Sequence, residues 1–77
     1  MTVGEKITEL RKEKGITQKK LAEKIGCDAA AVCHWEKGNN EPSLFSCILL
    51  ADVFGISLDE LACRDFKGVK WNEKAFD

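Results

Sequence analysis

Cys27, Cys33, Cys47, Cys63 and the single His34 carry the ligating and nucleophilic chemistry of this chain. The cysteines stand 6, 14 and 16 residues apart, with no C-x-x-C pair, and His34 does not complete one. Zinc sites bring ligands in close pairs, because one turn can then fix two of them. The spacing therefore predicts reduced, structural thiols and no metal. No nucleophile–base spacing and no phosphate-cradling glycine loop is present, so the residues predict neither an enzyme nor a cofactor or small-molecule ligand. The remaining polar chemistry gathers around residues 18–40: Gln18, Lys19, His34, Lys37, Asn39 and Asn40. These are hydrogen-bonding amides, an imidazole and two cations, suited to holding a polar surface rather than to breaking bonds.

The elements that position these groups read as helices throughout. Thr2 with Glu5 forms a T-x-x-E capping box, and Val3, Ile7 and Leu10 follow helical spacing, so a first helix is expected from Val3 to about Lys14, stopped by Gly15. Thr17 is the expected N-cap of a second helix, with Leu21, Ala22 and Ile25 on its inner face and Gly26 at its end. Asp28 then caps a third, Ala29 to Glu36, with Val32 and Trp35 inward. Gly38, Asn39 and Asn40 break the chain, and Pro42 and Ser43 open a fourth helix that runs to Phe54. Ser57 and Glu60 cap a short fifth helix ending near Ala62. Nothing alternates like a strand. The expected fold is all-α, with five helices in residues 1–63 and a short aromatic tail in 64–77.

Seventy-seven residues predict one small domain of modest stability. The apolar fraction of 44% and charged fraction of 32% are those of a globular chain. The longest apolar runs, Ala29 to Cys33 and Cys47 to Ala51, are too short to span a bilayer, and no secretory signal opens the sequence. A cytoplasmic protein with no membrane contact is expected, and in that compartment disulfides are disfavoured. The net charge is −1, yet residues 1–40 hold 8 Lys/Arg against 6 Asp/Glu, and residues 41–77 hold 4 against 7. The basic excess thus lies with the polar cluster, which favours an anionic partner there, though only weakly.

From Gln18 to Glu36 the pattern is specific. Leu21, Ile25, Val32 and Trp35 are the apolar sites of two crossing helices, Ala22 is small where they meet, and Gly26 falls where the turn needs a positive φ. Helix, glycine turn, helix is a helix-turn-helix arrangement. Three stretches carry a wider likeness: ELRKEKGITQKKLAEKIG, the V-x-x-W-E-K-G of residues 32–38, and EPSLFSCILLADVFGISLDEL. Over about residues 3–62 the chain resembles the phage-repressor (Cro/cI-like, XRE-type) helix-turn-helix family. The resemblance implies a compact five-helix lambda-repressor-like domain whose third helix enters the major groove of double-stranded DNA. It also implies a homodimer on a two-fold symmetric operator.

By that resemblance, Gln18 places its amide against a phosphate at the start of the second helix. Lys19, Lys37, Asn39 and Asn40 add backbone contacts, which position the protein without reading sequence. Arg11 and Glu36 match a family ion pair tying the first helix to the end of the third. The family's base-reading positions fall on Ala29, Ala30, Cys33 and His34, where no Arg, Gln or Asn offers a bidentate contact. Three readings of the Ala29–Ala31 run stay open: apolar contact with thymine methyls, helix-forming filler, or a face for a protein partner. His34 is the polar candidate here, toward a base, a phosphate or solvent. Oxidation of Cys33 is a speculative means of control.

The fourth helix holds more apolar residues than one inner face needs. Leu44, Cys47, Ile48, Ala51 and Phe54 follow a core stripe, which leaves Phe45, Leu49 and Val53 on the neighbouring face as a patch to be covered. A second copy of the same helix, or the tail with Phe66, Val69, Trp71 and Phe76, could cover it. Phe45, Leu49, Val53 and Trp71 are accordingly the expected dimer or partner contact, with a frayed tail as the alternative. The function expected from the whole sequence is a DNA-binding transcriptional regulator, a repressor that occupies its operator as a dimer. The alternative is a protein-interaction module, antitoxin-like or accessory, for which DNA is secondary.

Overall fold

The computed structural model describes residues 2–62, all of them in helices, turns and connecting segments. Five helices follow one another: α1 (Val3–Glu13), α2 (Gln18–Ile25), α3 (Ala29–Lys37), α4 (Leu44–Phe54) and α5 (Leu58–Leu61). The all-α expectation holds. Cys63 and the tail from residue 64 onward, including Phe66, Val69, Trp71 and Phe76, lie outside the described residues, and with them the expected division of the chain at residue 63.

Side-chain oxygens set four of the five helix starts. Thr2 accepts from the Glu5 N–H, Thr17 from Lys20, Ser43 from Ser46 and Ser57 from Glu60. Each such cap satisfies a donor that the helix itself leaves unpaired, worth about 1 kcal/mol. Asp28 has the extended N-cap backbone of α3, but its carboxylate makes no cap hydrogen bond. Gly26 ends α2 with φ 76°, and the N–H of Cys27 then returns to the Ala22 carbonyl at 2.9 Å. That left-handed step is the sharp turn between the two crossing helices, and a Cβ there would be strained.

The core is made by Ile7 and Leu10 of α1, Leu21, Ala22 and Ile25 of α2, Val32 and Trp35 of α3, Leu50, Ala51 and Phe54 of α4, and Leu61 of α5. α3 packs on both α1 and α2, and α4 packs on α2 and α5. The third helix is therefore clamped along its inner side while its other face stays outward. Gly4 tightens this clamp. A Cβ at that position would run into the carbonyl oxygens of Trp35 and Glu36, so α1 can approach the end of α3 only without a side chain.

α4 is rotated relative to the sequence expectation. Leu44 and Ile48, read as core, are 72% and 39% exposed, whereas Leu50, not read as core, is fully buried. Phe45 is exposed as expected, at 69%, but Leu49 and Val53 are half-buried and packed against the chain's own core. The inner stripe is Cys47, Leu50, Ala51 and Phe54, which keeps three of the expected residues and is turned by about half a residue step, some 45°. The helix is apolar nearly all round, LFSCILLADVF, so periodicity could not fix which side faces in. Smaller differences are one residue each: α1 stops at Glu13, α3 continues to Lys37, and α4 starts at Leu44 after its N-cap Ser43. Among the described residues no helix is long and apolar enough to cross a membrane.

Candidate nucleic-acid interface

The surface is built on a fixed joint between α1, α2 and α3. Arg11 reaches across from α1 and grips the Glu36 carboxylate with two bonds, Nε to Oε2 at 2.7 Å and Nη2 to Oε1 at 3.1 Å. Its remaining nitrogen, Nη1, donates to the Ile16 carbonyl at 2.9 Å, in the segment leading into α2. Gln18, the first residue of α2, donates from Nε2 to Glu36 Oε1 at 3.2 Å. One carboxylate thus ties three helices, and the ion pair suggested by the family resemblance is present. The pair is largely withdrawn from water, with side-chain exposures of 15% and 8%. Burial alone would raise the Glu36 carboxyl, but hydrogen bonds from Arg11 and Gln18, with the charge of Arg11, hold it below its ordinary value. The same bond holds the Arg11 guanidinium above its own.

On α3 the outward residues follow one line. Ala30, His34 and Lys37 are exposed and fall at i, i+4 and i+7, a single helical stripe. Ala29 and Cys33 are half-buried, and Ala29 and Ala31 pack against the core. Of the three alanines, Ala30 presents its methyl most freely to a partner. Lys19 is exposed on the first turn of α2, and Asn39 and Asn40 are exposed just past α3. The predicted polar residues are therefore set on the α2 start, the α3 stripe and the turn after it. Gln18 departs in part, because its amide is turned onto Glu36. An NH2 group carries two protons, so that bond leaves a second one for another acceptor.

Two features of this surface had no reading in the sequence. Gly4 fixes the seat of the α3 end, and Asn39 stands beside His34, its Nδ2 at 3.4 Å from Nδ1 of the ring. The first could be suspected only from a glycine in a helix's opening turn. The second joins residues five apart, which face each other only because the chain reverses at Gly38.

Burial, with a nearby acid, pushes the Cys27 and Cys47 thiols up, toward the protonated form. Cys47 also contacts the Pro42 carbonyl through its sulfur at 3.8 Å. Among the described residues no three His, Cys, Asp or Glu side chains gather as metal ligands would.

Comparison with known proteins places this geometry. A helix-turn-helix family model matches residues 7–61. The HTH-type transcriptional activator BcrR of Enterococcus faecalis is 34% identical over 61 residues, 79% of this chain and 30% of that protein. The uncharacterized HTH-type transcriptional regulator YazB of Bacillus subtilis is 41% identical over 59 residues, 77% of this chain and 86% of its own. Among solved structures, the P22 c2 repressor in complex with a synthetic operator superposes with a TM-score of 0.79 at 29% identity, over 84% of this chain and 98% of that one. The chain spans 30%, 58% and 53% of the length of the first three curated relatives it matches. With five helices in the same arrangement and the matched segment covering most of its length, the chain belongs to the phage-repressor (Cro/cI-like) helix-turn-helix DNA-binding family.

Proposed function

We propose that this chain is a transcriptional repressor that occupies a two-fold symmetric operator as a homodimer, in the cytoplasm, with α3 lying in the major groove. The observation that carries the reading is the exposed Ala30–His34–Lys37 stripe on a helix otherwise clamped by α1 and α2. In this reading Lys19, Lys37, Asn39, Asn40 and the second amide proton of Gln18 hold phosphates. Ala30 touches thymine methyls, and His34 donates to a base or phosphate, with Ala29 and Cys33 at the margin of the contact. Repression is supported by the likeness to P22 c2, a repressor on its operator, over 98% of that chain.

The dimer contact in this proposal is the exposed apolar start of α4, Leu44, Phe45 and Ile48, at 72%, 69% and 39% exposure. Such a patch on a small domain favours a covering surface, and a second copy meeting itself is the simplest cover. The same patch gives the second reading its one support: a module that holds another protein there, with DNA secondary.

The test is selection from a pool of random duplexes at near-physiological salt, followed by a salt titration on what is retained. An inverted repeat with half-sites about 34–36 Å apart, and an affinity that falls steeply with salt, is the expected result. Retention of no duplex would remove the DNA-binding reading and leave the protein-interaction one.

A further inference from the structure

Asn39 and His34 meet through the turn that ends α3. With Gly38 in the left-handed region at φ 78°, the Asn39 N–H returns to the His34 carbonyl at 3.0 Å, and the Gly38 N–H bonds the Trp35 carbonyl at 3.1 Å. This closure belongs to the backbone, so Asn39 is fixed above the last turn of the helix rather than free to swing. Its side chain then lies against the ring of the same residue its backbone has bonded, Nδ2 to Nδ1 at 3.4 Å. An amide NH2 can only donate. With Nδ2 turned to the ring, the nitrogen it faces is the acceptor, and a neutral imidazole that accepts at Nδ1 carries its proton on Nε2.

We propose that Asn39 is a positioning residue for specificity: it holds the exposed His34 as the Nε2–H tautomer, so that α3 offers one outward donor to an acceptor atom of DNA. This inference rests on the DNA-binding reading above for its use, though the tautomer itself does not. An Nε2–H donor suits guanine O6 or N7, adenine N7, thymine O4 or a phosphate oxygen, and it is mismatched to the amino groups of cytosine and adenine. His34 with Asn39 therefore supplies directionality where α3 lacks a bidentate reader. Ala30 and Lys37, its neighbours along the stripe, offer no acceptor side chain that could compete for the same proton.

Long-range proton–nitrogen spectra of the imidazole, recorded on the DNA-free protein at alkaline pH, test the tautomer directly. The expected result is a single Nε2–H form in the wild type and a mixture in Asn39→Ala. Asn39→Asp, which can only accept, should shift the ring toward Nδ1–H. Identical ring spectra in all three proteins would overturn the proposal. On selected duplexes, Asn39→Asp should lose about tenfold in discrimination at one base pair per half-site if the acceptor is a base. If the acceptor is a phosphate, base preference is unchanged and a neutral methylphosphonate at one position weakens wild-type binding to the same degree. In a His34→Ala background Asn39→Asp should leave base discrimination unchanged, whatever it costs in overall affinity, and persistence of the full loss of discrimination there would also overturn the proposal. A wild type that retains no duplex would sink the DNA-binding reading while the ring spectra still decide the tautomer.

Discussion

Arg11 and Glu36, twenty-five residues apart, are joined by two hydrogen bonds of 2.7 and 3.1 Å, and Gln18 adds a third donor to the same carboxylate. The pair is nearly excluded from water, so taking away one partner strands the other's charge. Glu36→Gln is expected to cost about 3 kcal/mol, on the order of 15 °C in Tm for a domain of this size. The double variant Arg11→Met, Glu36→Leu should recover part of the loss, because no charge is then left buried. Thermal unfolding of Arg11→Met, Glu36→Leu and the double gives the coupling. Additive effects would mean that the pair contributes nothing beyond its separate side chains.

The Glu36 carboxyl is held below its ordinary value, so its contribution to stability has a defined direction with pH. It is fully present above the unfolded glutamate value, about 4.3, and is lost as pH falls through the lower folded value. Acid titration of unfolding free energy should therefore be steeper in the wild type than in Glu36→Gln across that window. Equal slopes would show that the carboxyl gains nothing from folding.

Gly4→Ala offers a test in which helix propensity and packing oppose each other. Alanine favours an isolated helix by about 1 kcal/mol, but the new methyl would meet the backbone carbonyls of Trp35 and Glu36, which cannot move aside as a flexible side chain would. A net loss of about 1–3 kcal/mol is expected. A stabilised variant in urea denaturation would show that α1 does not sit as closely on α3 as described.

Phe45→Asp reports on the proposed dimer. Phe45 is 69% exposed, so the substitution should leave the unfolding transition of the monomer nearly unchanged while sedimentation equilibrium shows the loss of dimer. A variant that stays dimeric at the wild-type association constant would move the contact off this face.

Salt dependence separates phosphate holders from readers. Lys19→Ala and Lys37→Ala are each expected to lower the magnitude of the slope of log affinity against log salt by about 0.9. His34→Ala should leave the slope nearly unchanged if the ring reads a base. A full unit of slope lost with His34 would mean that the ring acts as a cation on a phosphate, which a neutral Nε2–H donor does not do.

Much of this molecule was legible because its signals are local. Thr2, Thr17 and Ser57 announce helix starts by side-chain chemistry that acts within one turn, and all three cap as expected, while Ser43, read as opening its helix, caps it instead. The Arg11–Glu36 link was legible only through the family resemblance, since no local rule connects residues so far apart. α4 failed where its information ran out: Leu49 and Leu50 are the same residue type, and only the partners α2 and α5 decide which is buried. The turn of Gln18 onto Glu36 and the approach of Asn39 to His34 depend on side-chain directions set by packing and by the Gly38 reversal. Which of the surface residues touch DNA is a property of a complex, and no spacing within one chain encodes it.

The outward stripe of α3 is also separate from what holds α3 in place. Val32 and Trp35 anchor the helix from beneath, while Ala30, His34 and Lys37 take no part in the core. Substitutions at those three exposed positions carry little folding cost, within about 0.5 kcal/mol each. A lineage could therefore exchange one target for another through a few such changes, without passing through an unfolded ancestor. The same independence makes this small domain a practical scaffold for engineered recognition, in which the reading face is varied as a library and the clamp beneath it is left alone.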